Sequence, residues 1–195
     1  MKTKDEIRLE MRERRKEIAQ EDRREAGKEI AKKLAESDIR LLLQAWRIAM
    51  YLSTEHEIPT RYIARSIFEA GREVVVPYWS ESGNKYKLSL MKPTTTLIKG
   101  KMGIREPRER LPVFPFDIDA FIIPGLAFDA QGGRLGYGAG IYDGILVEAR
   151  KQTPKIAICY DWQVLDDPLP LEPHDIRMDW IVTEKRVISC KKNND

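Results

Sequence analysis

Asp119 to Lys151 reads "DAFIIPGLAFDAQGGRLGYGAGIYDGILVEARK", and three kinds of sequence follow one another within it. An unbroken apolar run comes first, then a loop in which Gly132 to Gly144 holds six of the chain's twelve glycines, then a segment with helical spacing. A short continuous apolar run bounded by turn residues is the mark of a strand buried on both faces. A strand that passes through a glycine loop into a helix is the repeating unit of an open α/β sheet, so this stretch predicts the class of fold. It also poses a chemical question. Glycine takes up positive φ freely and lets other groups approach the main chain closely, so such clustering means either a contorted turn or a ligand against the amides.

The flanking sequence repeats the alternation. Upstream, "RIAMYLS" (47–53) reads as a strand and "PTRYIARSIFEAG" (59–71) as a helix with Pro59 in its first turn and Gly71 as its stop. "EVVVPYW" (73–79) reads as a second buried strand, completing a βαβ unit. "KYKLSLMK" (85–92) alternates and is expected as an edge strand, and the Gly- and Pro-rich "GKMGIREPRERLPVFP" (100–115) as irregular. Downstream, "GIYDGILVEARK" (140–151) is expected as a helix, with "KIAICY" (155–160) and "DWIVTE" (179–184) as strands. At the other end of the chain, residues 3–36 place Ile7, Met11, Ile18, Ile30 and Leu34 on a narrow apolar stripe, the pattern of two helices broken near Ala19 to Glu21. The expectation is a single α/β domain over residues 1–195, a three-layer α/β/α sandwich with a mostly parallel, Rossmann-like open sheet.

Composition narrows the function classes. The 34 basic and 31 acidic residues leave a net charge of only +3, which predicts neither a nucleic-acid nor a membrane partner. Residues 1–36 carry twelve Lys or Arg against ten Asp or Glu, so the N-terminal helices do not form a phosphate-tracking stripe either. Cys159 and Cys190 have no paired spacing and fit a reducing compartment. No apolar run approaches the roughly 18 residues of a membrane span, and the N-terminus is charged from Lys2 onward. A cytoplasmic monomer acting on small molecules is expected.

The glycine loop lies where open α/β sheets bind ligands, beyond the carboxyl end of a strand and before a helix N-terminus that offers free amides to an anion. Its spacing is neither that of a Walker loop, which would need Lys where Ala139 stands, nor GxGxxG, since Ile141 stands at the third glycine place. On spacing alone a structural turn and a phosphate cradle are equally open. Arg134 inside the loop and Asp143 three residues beyond Gly140 add a phosphate-pairing cation and a carboxylate suited to Mg²⁺. A second turn at Pro124 and Gly125 would wall the same crevice.

"IPGLAFDAQGGRLGYGAGIYDGIL" closely resembles the signature of the 5-formyltetrahydrofolate cyclo-ligase family, also called methenyltetrahydrofolate synthetases, approximately PGLAFD, two variable residues, G, any, RLGYGGGYYD. "KDEIR", "MYLSTEHEIPT", "GIREP" and "EPHDIRMDWIVTE" resemble other family segments in the same order. Ile141 stands where the family usually has the first of two tyrosines, and Gly144 where Arg is common. The resemblance implies ATP-dependent, Mg²⁺-requiring closure of 5-formyltetrahydrofolate to 5,10-methenyltetrahydrofolate through a phosphorylated formyl group. It assigns Lys4, Arg8, Arg134, Gly136, Tyr137, Gly138, Ala139, Gly140, Ile141 and Tyr142 to ATP, and Arg134, Tyr142 and Asp143 to catalysis. It assigns Leu52, Glu57, Tyr137, Gly138, Ala139, Gly140 and Ile141 to the folate, with Glu57 facing the paired donors of the pterin, and Asp143 and Asp175 to Mg²⁺.

Each assignment has a plainer counterpart. Lys4 and Arg8 by themselves read as solvated helix charges, Asp175 as a helix or turn cap, and the four tryptophans as core. Glu55 is a neighbouring carboxylate without the role given to Glu57, and His56 and His174 lack a ligand cluster. A different nucleotide or coenzyme-A enzyme on the same fold is the alternative, because fold does not fix function.

Overall fold

The computed structural model describes residues 2–36, 39, 44–172 and 175–190. After helices α1 (Lys4–Lys16) and α2 (Gln20–Glu36), strand β1 (Arg47–Met50) enters the middle of a sheet, and α3 (Arg61–Glu69) returns the chain to β2 (Glu73–Ser80). A hairpin then adds β3 (Lys85–Met91), and a two-strand ribbon of β4 (Leu97–Lys99) and β5 (Arg105–Pro107) leads to β6 (Pro112–Val113). Next come β7 (Ala120–Ile123), the short strands β8 (Ala127–Asp129) and β9 (Arg134–Leu135), and helix α4 (Ile141–Val147). Strands β10 (Lys155–Ile158), β11 (Val164–Leu165), β12 (Trp180–Val182) and β13 (Val187–Ser189) complete the described elements.

The main sheet has the order β13-β12-β10-β7-β1-β2-β3-β6. Neighbours from β12 to β2 pair in parallel, and antiparallel strands finish both sides. The mostly parallel α/β sheet expected from the apolar runs is therefore present. All four residues of β7 are 0% exposed, as a strand covered on both faces requires. Successive side chains go to opposite faces. Ile48, Met50, Ile122 and Ile156 join a core under α2 and α3, while Ala49, Phe121, Ile123 and Ala157 join a second core that includes Ile145 and Leu146 of α4. On α3, Ile63 and Ile67 are buried one turn apart, each contributing about 1.5–3 kcal/mol of burial, and Gly71 ends the helix at φ +71°.

Five local expectations are corrected. β3 is not the edge, because β6 pairs outside it. The segment 100–115 is not wholly irregular but contains β5 and β6. The helix after the glycine loop stops at Val147, and Pro59 precedes the N-cap Thr60 rather than lying in the first turn of α3. Trp46 is 58% exposed, whereas Trp79, Trp162 and Trp180 pack against the cores.

Two features carry α1 to the site. A capping box fixes its start, with Glu6 N donating to Thr3 Oγ1 and Thr3 N donating to Glu6 Oε2 at 2.7 Å. Ile7 and Met11 then seat the helix on Leu126, Ala127, Leu135 and Leu169, on and around the small sheet β11-β8-β9.

Candidate active site

Along the parallel strands the chain starts at β1, moves outward to β2, and later returns to the far side of β1 through β7, β10 and β12. The reversal between β1 and β7 opens a crevice beyond their carboxyl ends, where the crossovers leave in opposite directions. Residues 51–58 leave β1 into this crevice, and Pro124 and the glycine loop enter it from β7.

The result is a cleft of about 570 Å³. Every residue picked out in the sequence for ligand, metal or catalysis lines it: Lys4 and Arg8 from α1, Leu52 and Glu57 after β1, Arg134 on β9, Gly136 to Tyr142 across the loop, then Asp143 and Asp175. Residues up to 171 positions apart in the chain share one wall, as the ion pair of Lys4 Nζ with Asp175 Oδ2 at 2.9 Å illustrates.

The glycines divide by task. The Asp129 carboxylate, 3% exposed, accepts from the backbone N–H of Gln131 and Gly133 at 2.9 Å each and from Leu169 N at 2.9 Å. A Cβ at Gly133 would stand 2.2 Å from its Oδ2, so that glycine serves the β8–β9 turn and not a ligand. Gly138 and Gly140 differ. They have φ of +97° and +62°, and the space beside them holds nothing nearer than the Arg8 guanidinium, 3.9 Å from a Cβ at 138. The loop is thus a structural turn at its start and bare backbone facing the cleft at its end.

Arg134 is 9% exposed and reaches along the cleft floor, with Nη2 on Asp143 Oδ1 at 2.5 Å and Nη1 on the Pro124 carbonyl at 3.4 Å. Among the described residues its Nε is buried without a partner, as is the Tyr142 hydroxyl. Buried polar atoms are almost always bonded, so these two cleft-lining groups are open to a further partner. Burial, then the nearby Glu57 charge, pushes the Tyr142 phenol far above its ordinary pKa, so it presents a hydroxyl and not an anion. Asp175 accepts from Lys4 and also from Glu172 N at 2.8 Å, so it closes its own turn as well as facing the cleft. The hydrogen bond to Asp175, ahead of the opposing effect of burial, raises the Lys4 pKa.

In the same cleft Glu57, 7% exposed, accepts from Thr54 N at 2.7 Å, Thr54 Oγ1 at 2.9 Å and the Tyr137 hydroxyl at 2.5 Å. Behind Tyr137 lies Arg15, 5% exposed, whose Nη1 donates to the Tyr137 hydroxyl and whose Nε donates to the His56 carbonyl at 2.9 Å. Burial disfavours the Arg15 charge, but Tyr137 and Glu57 outweigh it and its pKa is raised. Sequence reading passed over Arg15. The signal was present, because residue 15 is the next place on the stripe of Ile7 and Met11, and a cation on an apolar stripe asks for a buried partner. Glu55 is exposed and faces a neighbouring cavity, and His174 lies outside the described residues.

Comparison with known proteins gives the chain's family. The model of the 5-formyltetrahydrofolate cyclo-ligase family matches residues 1–184. The 5-formyltetrahydrofolate cyclo-ligase of Escherichia coli (strain K12) is 29% identical over 184 residues, covering 91% of this chain and 98% of that protein. The protein of the same name from Mycolicibacterium smegmatis is 32% identical over 149 residues, covering 72% and 75%. Among solved structures, the 5,10-methenyltetrahydrofolate synthetase of Aquifex aeolicus superposes with a TM-score of 0.84 at 29% identity, covering 98% of this chain and 95% of that one.

Proposed function

Because the chain belongs to the 5-formyltetrahydrofolate cyclo-ligase family, we propose that the cleft binds 5-formyltetrahydrofolate and ATP side by side and closes the former to 5,10-methenyltetrahydrofolate. The observation that carries this reading is the meeting, in one cleft, of a buried carboxylate with bare loop backbone and the cations Lys4, Arg8 and Arg134.

The chemistry asks for that division. A formamide oxygen is a poor leaving group. In the proposed first step this oxygen attacks the γ-phosphorus and ADP departs. N10 then attacks the activated carbon, loses its proton, and phosphate leaves with the former formyl oxygen. Catalysis is mainly positioning and charge stabilisation. Lys4, Arg8 and Arg134 would balance phosphate charge, and the amides of Gly138 to Ile141 would meet phosphate or formyl oxygens. Tyr142 would donate its unpartnered hydroxyl in the same place. Glu57 would accept the N3–H and 2-amino group of the pterin, against Leu52, with Tyr137 yielding the carboxylate oxygen it now holds.

Mg²⁺ fits as a companion of the nucleotide. Among the described residues no cluster of three or more His, Cys, Asp or Glu is placed to hold a metal. Mg²⁺ is commonly bound by one or two carboxylates together with substrate phosphates, and Asp143 and Asp175 supply two on this cleft. When bound there it would offset phosphate charge. Each of those carboxylates is already paired with a cation, Asp143 with Arg134 and Asp175 with Lys4. Phosphate drawing off the cations would therefore free both carboxylates for a divalent ion.

The test is direct: purified protein with 5-formyltetrahydrofolate, ATP and Mg²⁺ should generate the ultraviolet band of the methenyl product, with one ADP released per product. No band at any ATP concentration refutes the reading. ADP release without a band would instead favour another nucleotide-dependent reaction in the same cleft.

A further inference from the structure

Resting on that reading, we propose that Arg15 is a positioning residue for the folate: across the Tyr137 hydroxyl it holds Glu57 in place and ionised, ready to accept both donors of the pterin. Arg15 does not line the cleft, and its guanidinium bonds Tyr137 and the His56 carbonyl, so it acts on the substrate through them.

The cleft offers Glu57 no direct cation. Thr54 N and Thr54 Oγ1 donate to its Oε2, and the Tyr137 hydroxyl donates to its Oε1 at 2.5 Å. These donors are neutral, and among the described residues no Lys or Arg forms an ion pair with this carboxylate. The cations that line the cleft answer other carboxylates: Lys4 meets Asp175 at 2.9 Å, Arg8 meets Asp5 at 2.6 Å, and Arg134 meets Asp143 at 2.5 Å. Arg15 is the counterpart. It is 5% exposed and, among the described residues, bonds no carboxylate directly. Its Nη1 donates to the Tyr137 hydroxyl, which in turn donates to Glu57, so a single oxygen separates the two charged groups. Its Nε donates at 2.9 Å to the carbonyl of His56, the residue before Glu57. One planar guanidinium thus fixes both the backbone that carries the carboxylate and the hydroxyl that bonds it, a task suited to a rigid fork and not to a flexible ammonium.

The pterin makes that counterpart necessary. Its N3–H and 2-amino group are neutral donors, so a pterin laid on Glu57 strips water from the carboxylate without bringing a positive charge. A carboxylate buried in that way takes up a proton unless a nearby cation favours the ionised form. Once protonated it would donate from one oxygen and no longer present free acceptors on both. Arg15 supplies the charge that holds the ionised form. When Tyr137 gives up Oε1 to the pterin, its hydroxyl still accepts from Arg15, so the exchange does not strand the buried guanidinium.

The experiment measures binding of 5-formyltetrahydrofolate and of a nonhydrolysable ATP analogue by calorimetry, alongside formation of the methenyl product, in wild type, Arg15→Gln, Arg15→Met and Arg15→Lys. Methionine keeps an apolar stem on the stripe of Ile7 and Met11, so that variant carries the test if glutamine impairs folding. The first two variants should each weaken folate binding about tenfold, the weight of one charge-assisted contact, and leave the analogue's affinity within about twofold of wild type. Lysine keeps the charge without the fork and should recover part of the loss. In a Glu57→Gln background the same changes should alter folate binding by less than about twofold, since the charge they served is gone. A loss of about tenfold persisting in that background, equal losses for folate and analogue, or wild-type folate affinity in Arg15→Met would each overturn the positioning role. The function reading would stand as long as wild type forms the methenyl product; absence of that product would bring down both.

Discussion

Replacing Arg15 with glutamine tests whether the pterin end of the cleft is held by a buried cation. The guanidinium and the Glu57 carboxylate share the Tyr137 hydroxyl, which places the charges about 5 Å apart; at an effective dielectric near 20 their attraction is about 3 kcal/mol. The variant also loses the bond to the His56 carbonyl, about 1 kcal/mol, and recovers part of both terms because an arginine no longer has to be desolvated. The expected net loss is about 2–3 kcal/mol. In urea, with a slope of about 2–3 kcal/mol per molar, the unfolding midpoint should fall by about 1 M. Tyrosine exposure and loss of helical circular dichroism serve as two probes, and their coincidence checks that a single transition is being read. A cycle with Glu57→Gln gives the decisive number. The coupling should exceed about 1 kcal/mol, because Arg15→Gln does little harm once the carboxylate is gone. A midpoint unmoved by Arg15→Gln, or a coupling below about 0.3 kcal/mol, would show that the charge of Glu57 is balanced elsewhere.

Asp143→Asn should lower turnover about 100-fold or more at saturating Mg²⁺, yet shift stability by no more than about 1 kcal/mol, because the carboxylate it alters is half exposed. Turnover and urea unfolding measured on one preparation separate the two effects. Gly138→Ala puts a side chain at φ +97°, a strain of about 1–3 kcal/mol, and should weaken binding of a nonhydrolysable ATP analogue about tenfold by calorimetry; wild-type affinity would return the loop to a purely structural role. The phenols of Tyr51, Tyr137, Tyr142 and Tyr160 are raised, foremost by burial, that of Tyr160 to about 12. Their folded pKa values lie above the unfolded value of 10, so the associated stability is complete below pH 10 and is lost as pH rises beyond it. Tyrosinate absorbance near 295 nm should therefore appear together with alkaline unfolding for these four rings, and free titration of all tyrosines in the folded protein near pH 10 would contradict their burial.

The parallel sheet was legible because "DAFIIPG" and "EVVVPYW" carry continuous apolar runs, Ala120 to Ile123 and Val74 to Trp79, a pattern that covered strands impose and solvent-facing ones do not. The glycine loop, Arg134 and Asp143 were legible from their place after a buried strand and from their chemistry, whereas Lys4, Arg8, Leu52, Glu57 and Asp175 were legible only through the family signature. Gly132 to Gly144 looked uniform in sequence, yet Gly133 answers to Asp129 and Gly138 to open space, a distinction set by neighbours far along the chain. Strands β8 and β9 have three and two residues, too few to display a period of two, so the hairpin that carries Arg134 could not be seen. Arg15 was hidden among the many charges of α1, although its place on the apolar stripe set it apart.

The outermost strand beside β3 has consequences for how the folded molecules behave in a concentrated solution. β6 consists of Pro112 and Val113, and the proline ring has no N–H to offer. A second molecule approaching that border finds a ladder with almost no rungs, so strand-by-strand growth into fibrils has no template there. The apolar strands that make the interior stable are the ones most prone to stack with their own kind, and the chain keeps them harmless by ending that side of the sheet on a short strand that cannot recruit.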